Sequence, residues 1–196
     1  MKVAIINYNA GNVQSVLFCM ERLGIQAQLT DKPEIIQSAD KVIFPGVGEA
    51  RSTMQYLRQH QMDKLIRELQ QPVLGICVGA QLLCAHSEEN DTECIGVFPN
   101  RVKKFRPTAQ HLKVPHMGWN TIQQTGKGIL DPTLEDQYVY YVHSYYPEVN
   151  AFTMGITQYD VPFSAGLQRN NFYATQFHPE KSGKVGAQIL KNFFAL

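Results

Sequence analysis

The first half of the chain alternates short apolar runs with segments that carry apolar residues at helical spacing. Such runs predict buried strands, and the 3.6-residue spacing predicts helices. The predicted strands are Val3–Ile6, Gln26–Thr30, Lys41–Phe44 and Val73–Ile76. The predicted helices are Val13–Leu23, Glu34–Ser38, a stretch over residues 50–70 that breaks near His60, and Gly79–Ala85. Strands that alternate with helices predict parallel pairing and a sheet with helices on both faces.

The second half is a succession of short strand-like segments separated by turn residues, which is typical of antiparallel strands. The predicted strands are Val102–Phe105, Gly118–Gln123, Tyr138–Val142, Thr153–Gln158, Ser164–Gln168 and Tyr173–Phe177. Gly183–Leu196 then places apolar residues on one face, which predicts a closing helix. The sequence therefore predicts one α/β domain over residues 1–196. Its central sheet is expected to be open and mostly parallel, with helices on both faces and an added antiparallel region in the C-terminal half.

Composition and charge narrow the class of partner. The chain has 196 residues, of which 44% are hydrophobic, and 18 Lys and Arg against 17 acidic residues give a net charge of +1. This balance argues against nucleic acid or an anionic membrane as the main partner. We expect a cytoplasmic protein, since no apolar run is long enough for a signal peptide or a membrane span. The four cysteines and six histidines lack the spacing of a disulfide frame or a zinc site, and neither a metal nor a cofactor is expected.

One cysteine stands out because glycines flank it where a predicted strand meets a helix. The segment Gly75-Ile76-Cys77-Val78-Gly79 has the G-x-nucleophile-x-G pattern, with cysteine in place of serine. A nucleophile on such a tight turn needs a strained backbone and small neighbours. The turn also directs backbone N–H groups and the helix start at the sulfur, which favours the thiolate. The alternative is that Cys77 is a small buried core residue, the usual fate of a free cysteine.

A cysteine nucleophile needs a base, and the base needs an orienting group. Among the six histidines, only His178 has a carboxylate placed to orient it, in the segment His178-Pro179-Glu180. Residues i and i+2 of an extended stretch face the same side, so Glu180 is expected to reach the imidazole. The alternative is a buried histidine beside a surface glutamate.

A third segment, Pro45-Gly46-Val47-Gly48, follows the predicted strand Lys41–Phe44. It is a poor dinucleotide fingerprint because Arg51 stands where the third glycine belongs. Two glycines after a strand instead favour a backbone N–H presented to an oxyanion.

Together these segments resemble the class I, triad-type glutamine amidotransferases, which have an oxyanion strand, a cysteine turn and a late His-Pro-Glu in this order. The resemblance runs from residue 3 to the C-terminal helix. It implies a glutaminase, a hydrolase with Cys77, His178 and Glu180 as its catalytic triad. It also implies an oxyanion hole at Val47, Gly48 and Val78, and contacts to the substrate glutamine from Gln81, Ser144 and Tyr145.

Within the family, the chain is most similar to the glutaminase subunits of histidine biosynthesis. The similar segments are Asn7–Asn12, Pro45–Gly48, Pro115–Asn120 and Val142–Tyr146, and one departure is Asn9-Ala10 where relatives often have Asn-Pro. This similarity implies a heterodimer with a (β/α)8-barrel cyclase subunit. The cyclase would use the ammonia to make imidazole glycerol phosphate and an aminoimidazole carboxamide ribotide. The docking face implied by the same resemblance comprises Asn12, Met117, Trp119 and Lys181.

Three alternatives stay open on the sequence alone. The first is an amidotransferase subunit of another pathway, such as pyridoxal phosphate or anthranilate synthesis. The second is a cysteine peptidase or redox protein of similar fold. The third is a non-catalytic partner-binding module in which the cysteine is merely buried.

Overall fold

Five parallel strands form the middle and one edge of the central sheet. The computed structural model describes residues 1–8, 13–46, 48–107 and 112–196. The parallel strands are β1 (Val3–Ile6), β2 (Ala27–Thr30), β3 (Lys41–Phe44), β4 (Val73–Ile76) and β13 (Phe172–Thr175). The strands β11 (Thr153–Tyr159) and β12 (Val161–Arg169) extend the other edge in antiparallel fashion. The seven strands lie in the order β11-β12-β13-β4-β3-β1-β2.

Helices cover both faces of this sheet. They are α1 (Gln14–Arg22), α2 (Pro33–Gln37), α3 (Ala50–Gln59), α4 (Met62–Glu68), α5 (Val78–Leu82) and α6 (Gly183–Phe194). Two apolar clusters result, one that includes α2, α3 and α4 and one that includes α1 and α6. Every residue of β1, β3, β4 and β13 is buried, which explains their nearly continuous apolar sequence. The predicted fold class is confirmed.

The remaining strands form two smaller sheets. One contains β5 (His86–Ser87), β6 (Thr92–Glu93), β7 (Arg101–Lys104) and β10 (Tyr145–Pro147), and the other pairs β8 (His116–Thr121) with β9 (Tyr138–His143). Strands β5, β6 and β10 were not predicted, because two or three residues are too short to show a period. The predicted helix break near His60 is present, with Gln61 at a φ of 56° between α3 and α4. No helix in the described part of the chain is long and apolar enough to cross a membrane.

The strand order brings three segments of the chain together at the carboxyl ends of the central strands. Strands β3, β4 and β13 are neighbours and run parallel, so their carboxyl ends lie side by side. Pro45 follows β3, Cys77 follows β4, and Gln176 follows β13. Loops at the carboxyl ends of parallel strands are the usual place for a site in an open α/β sheet.

Candidate active site

Cys77 occupies a strained turn between β4 and α5. Its φ of 52° and ψ of −109° are rare for a residue with a side chain. The backbone just after Cys77 packs tightly against the end of β3 and the residues that follow it. A Cβ atom on Gly79 would lie 2.2 Å from the Phe44 carbonyl oxygen, and a Cβ atom on Gly46 would lie 1.9 Å from the Gly79 nitrogen. Only glycine fits at both positions. The nucleophile turn and the predicted oxyanion segment are therefore in direct backbone contact.

His178 and Glu180 form a buried pair beside this turn. His178 Nδ1 lies 2.7 Å from Glu180 Oε1, and the two side chains are only 5% and 3% exposed. The expected proximity is present, but its predicted reason, an extended backbone, is wrong. The chain bends into a 3-10 turn over Pro179–Lys181, and this bend brings the carboxylate back to the ring.

The protonation of His178 depends on its two neighbours. Burial alone would lower its pKa, but the charge and hydrogen bond of Cys77, together with the Glu180 carboxylate, raise the pKa to about 10. A protonated imidazole at this position stabilises a neighbouring thiolate. His178 thus contacts Glu180 directly and is under the electrostatic influence of Cys77.

The cysteine faces a cavity of about 290 Å³. Six residues predicted from the sequence line it: Gly48, Cys77, Val78, Gln81, Ser144 and Tyr145. Gln81 Nε2 donates to the Tyr145 carbonyl oxygen at 2.8 Å and to Gln176 Oε1 at 2.9 Å. Val47, predicted for the oxyanion hole, lies outside the described residues.

Among the further residues at the site that were not predicted, three have polar side chains. Gln176 Nε2 lies 3.8 Å from Cys77 Sγ, while Glu89 and His143 line the cavity. One oxygen of Glu89 accepts from the Ala50 N–H at 2.8 Å, and burial raises the pKa of its carboxyl. Gln176 had a sequence signal, since it stands two residues before His178 where the strand ends, and His143 lies within the similar segment Val142–Tyr146. Nothing local distinguishes Glu89 from its acidic neighbour Glu88.

Three of the residues predicted for docking are not part of the cavity lining. Met117 and Trp119 are 63% and 56% exposed and project from β8, while the exposed Lys181 follows Glu180. Asn12 lies outside the described residues. Their role in docking stays a prediction. Within residues 1–8, 13–46, 48–107 and 112–196, no group of three or more His, Cys, Asp or Glu side chains is placed to hold a metal ion.

The sequence of this chain is similar to those of known proteins. The model of the class-I glutamine amidotransferases matches residues 4–196. The "Imidazole glycerol phosphate synthase subunit HisH" of Bacteroides fragilis strain YCH46 is 54% identical to this chain, over all of both sequences. The protein of the same name from Idiomarina loihiensis is 44% identical over all of this chain and 98% of the relative.

Solved structures share the fold at lower identity. A Thermoplasma acidophilum protein described as a putative GMP synthase subunit aligns with a TM-score of 0.74 at 20% identity, covering all of this chain and 92% of that one. A structure described as a glutamine amidotransferase aligns with a TM-score of 0.71 at 18% identity, covering 98% of this chain and 97% of that one.

Proposed function

We propose that this chain, which belongs to the class-I glutamine amidotransferase family, hydrolyses glutamine as the glutaminase subunit of an imidazole glycerol phosphate synthase. Relatives that are 39–54% identical and carry that subunit's name support the assignment. Among the structural observations, the strained Cys77 turn beside the buried His178–Glu180 pair carries the proposal. The pathway would be histidine biosynthesis.

The geometry supports a thioester mechanism. The Cys77 sulfur attacks the side-chain amide carbon of glutamine, and the amide oxygen becomes an oxyanion held by N–H groups of Val78 and of the Val47–Gly48 segment. His178 gives its proton to the leaving nitrogen, ammonia departs and a thioester remains. His178 then takes a proton from water, the hydroxide adds to the thioester carbon, and glutamate and the free thiol are released. Glu180 keeps the imidazole oriented through both steps.

Substrate recognition is assigned to residues that share the cavity with Cys77. Gln81 and the Ser144–Tyr145 backbone would hold the glutamine, since they line this cavity. We add Glu89 to this set, because its carboxylate lines the same cavity and has the charge that attracts the substrate's α-ammonium group.

The ammonia would be consumed by another subunit. The relatives' shared name describes a synthase subunit, which implies a partner. Ammonia is a nucleophile only while neutral, and bulk water would protonate it, so a sheltered path into the partner is favoured. We propose a (β/α)8-barrel cyclase as that partner in a heterodimer, with Asn12, Met117, Trp119 and Lys181 on the docking face.

The decisive experiment separates glutamine use from ammonia use. In the complex with the cyclase subunit, we expect Cys77→Ala to abolish glutamine-dependent synthesis and to preserve synthesis supplied with ammonium salt. Cys94→Ala, which removes another buried thiol away from the cavity, is the matched control and should retain both. Glutamine-dependent synthesis by Cys77→Ala at the wild-type rate would refute the proposal.

A further inference from the structure

Two buried histidines, His116 and the cavity-lining His143, lie side by side at the glutamine cavity, and the mechanism above does not use them. His116 on β8 and His143 on β9 face each other across the hairpin, with His116 Nδ1 3.0 Å from His143 Nε2. Both residues are at least 95% buried. The His116 ring stacks between Tyr159 and Tyr141, with ring centroids 3.9 Å and 4.9 Å away.

The partners of this pair determine where its hydrogens are. His143 Nδ1 lies 2.7 Å from the Tyr145 carbonyl oxygen, which can only accept, so this nitrogen carries the hydrogen. In a neutral ring His143 Nε2 is then an acceptor, and His116 Nδ1 must donate to it. His116 Nε2 remains as the acceptor for Asn120 Nδ2 at 3.4 Å.

Burial keeps both rings in these neutral forms. Desolvation lowers the pKa of His116 to about 4, and desolvation with the neighbouring histidines lowers that of His143 to about 3, although the hydrogen bond to Tyr145 acts in the opposite direction. The hydrogen bonds therefore run in one direction, from Asn120 through the two rings to the Tyr145 carbonyl.

The Tyr145 carbonyl connects the pair to the glutamine site. It accepts a second hydrogen bond, from Gln81 Nε2 at 2.8 Å, so both of its lone pairs are engaged. The same Gln81 nitrogen donates to Gln176, whose own amide nitrogen lies 3.8 Å from Cys77 Sγ. Loss of the His143 hydrogen bond would leave this part-buried carbonyl with Gln81 as its one remaining partner, and its orientation would be less fixed.

We infer that His116 and His143 are positioning residues for glutamine binding, which act by donating a directed hydrogen bond to the Tyr145 carbonyl and so fix the Gln81 side chain at the cavity. This inference rests on the proposed function. It assigns the pair a role by hydrogen bonding, which differs from a role in packing.

Two substitutions at His143 separate these roles. Phe fills the volume of the ring but cannot donate, whereas Asn leaves a gap but places an amide nitrogen near the position of Nδ1. In the complex with the cyclase subunit, we expect His143→Phe to raise the KM for glutamine roughly tenfold and His143→Asn to stay within roughly threefold of wild type. Packing predicts the opposite order, because Phe105 and Phe163 would accommodate another aromatic ring. The opposite order, or equal values, would overturn the inference.

Tyr141→Phe is the matched control. It deletes a buried hydroxyl that bonds to Thr157, off the path to Tyr145, and keeps the ring that stacks on His116. We expect a wild-type KM.

A measurement on the unmodified chain does not depend on how the variants fold. Nitrogen-15 NMR of the imidazoles should show both histidines as the Nδ1–H tautomer between pH 5.5 and 8, both limits being about one unit or more above the pKa values. An Nε2–H tautomer at His143 would overturn the inference. If Cys77→Ala abolishes glutamine use while His143→Phe leaves the KM unchanged, only this inference is wrong. If Cys77→Ala has no effect, the proposed function is wrong.

Discussion

At the residue scale, only one of the two carboxylate oxygens of Glu180 has a hydrogen-bond partner among the described residues. Its Oε1 contacts His178, whereas its buried Oε2 has no hydrogen-bond partner among the residues that the structure describes. A buried carboxylate with one partner depends on that partner to offset the free-energy cost of removing its charge from water. The charge of Glu180 and the proton on His178 therefore stabilise each other, and removing either should affect the other.

Glu180→Gln tests this dependence through pH. A histidine whose pKa is raised on folding stabilises the folded state fully below its unfolded pKa of about 6.5, and this contribution is lost as the pH rises through the folded value of about 10. The variant removes one cause of the raised pKa. We expect it to unfold more easily than wild type near pH 7 and the difference to narrow towards pH 10. Urea denaturation at both pH values measures this, and an unchanged difference would contradict it.

At the element scale, the side chain of Glu49, which follows Gly48, caps the start of α3. The Glu49 side chain accepts hydrogen bonds from the Arg51 and Ser52 N–H groups and from Asn90 Nδ2. Burial alone would raise the pKa of this carboxyl, but these hydrogen bonds lower it to about 2. Glu49 therefore works as the N-cap of α3 and as a tie between two loops near the cavity.

Loss of this cap should cost measurable stability. We expect Glu49→Ala to lower the free energy of unfolding by about 1 kcal/mol, the usual value for an N-cap. Glu49→Gln keeps one side-chain acceptor and should lose less. Urea denaturation at pH 7 compares the three proteins, and equal losses in the two variants would argue against capping as the cause.

The elements differ in how well the sequence predicts them. The parallel strands and the break between α3 and α4 follow from apolar runs and helical spacing. The proposed triad could be predicted for a similar reason, because the glycines around Cys77 and the segment His178-Pro179-Glu180 are local patterns. Glu89 and His143 join the cavity through contacts between distant parts of the chain, which no local period records.

At the scale of the whole molecule, the chain's single tryptophan stands on the proposed docking face. Trp119 is 56% exposed and contacts Tyr140 of the neighbouring strand edge to face, at 5.9 Å between centroids. Its indole emission should shift to shorter wavelength when the proposed cyclase subunit covers it. A fluorescence titration with that subunit measures the shift, and the Trp119→Phe chain supplies the matched blank. An unchanged spectrum in a complex demonstrated by sedimentation would place the docking face elsewhere.

The position of β13 has a consequence for the chain while the ribosome is still making it. This strand lies between β4 and β12, yet the ribosome makes it roughly a hundred residues after its parallel neighbour β4. Until β13 is made, β4 has an open edge of unpaired N–H and C=O groups beside apolar side chains, which invites pairing with other chains. His178, the proposed base, follows β13, so the same late event closes this edge and brings the proposed triad together. By the proposed mechanism, a nascent chain therefore cannot hydrolyse glutamine before its sheet is complete.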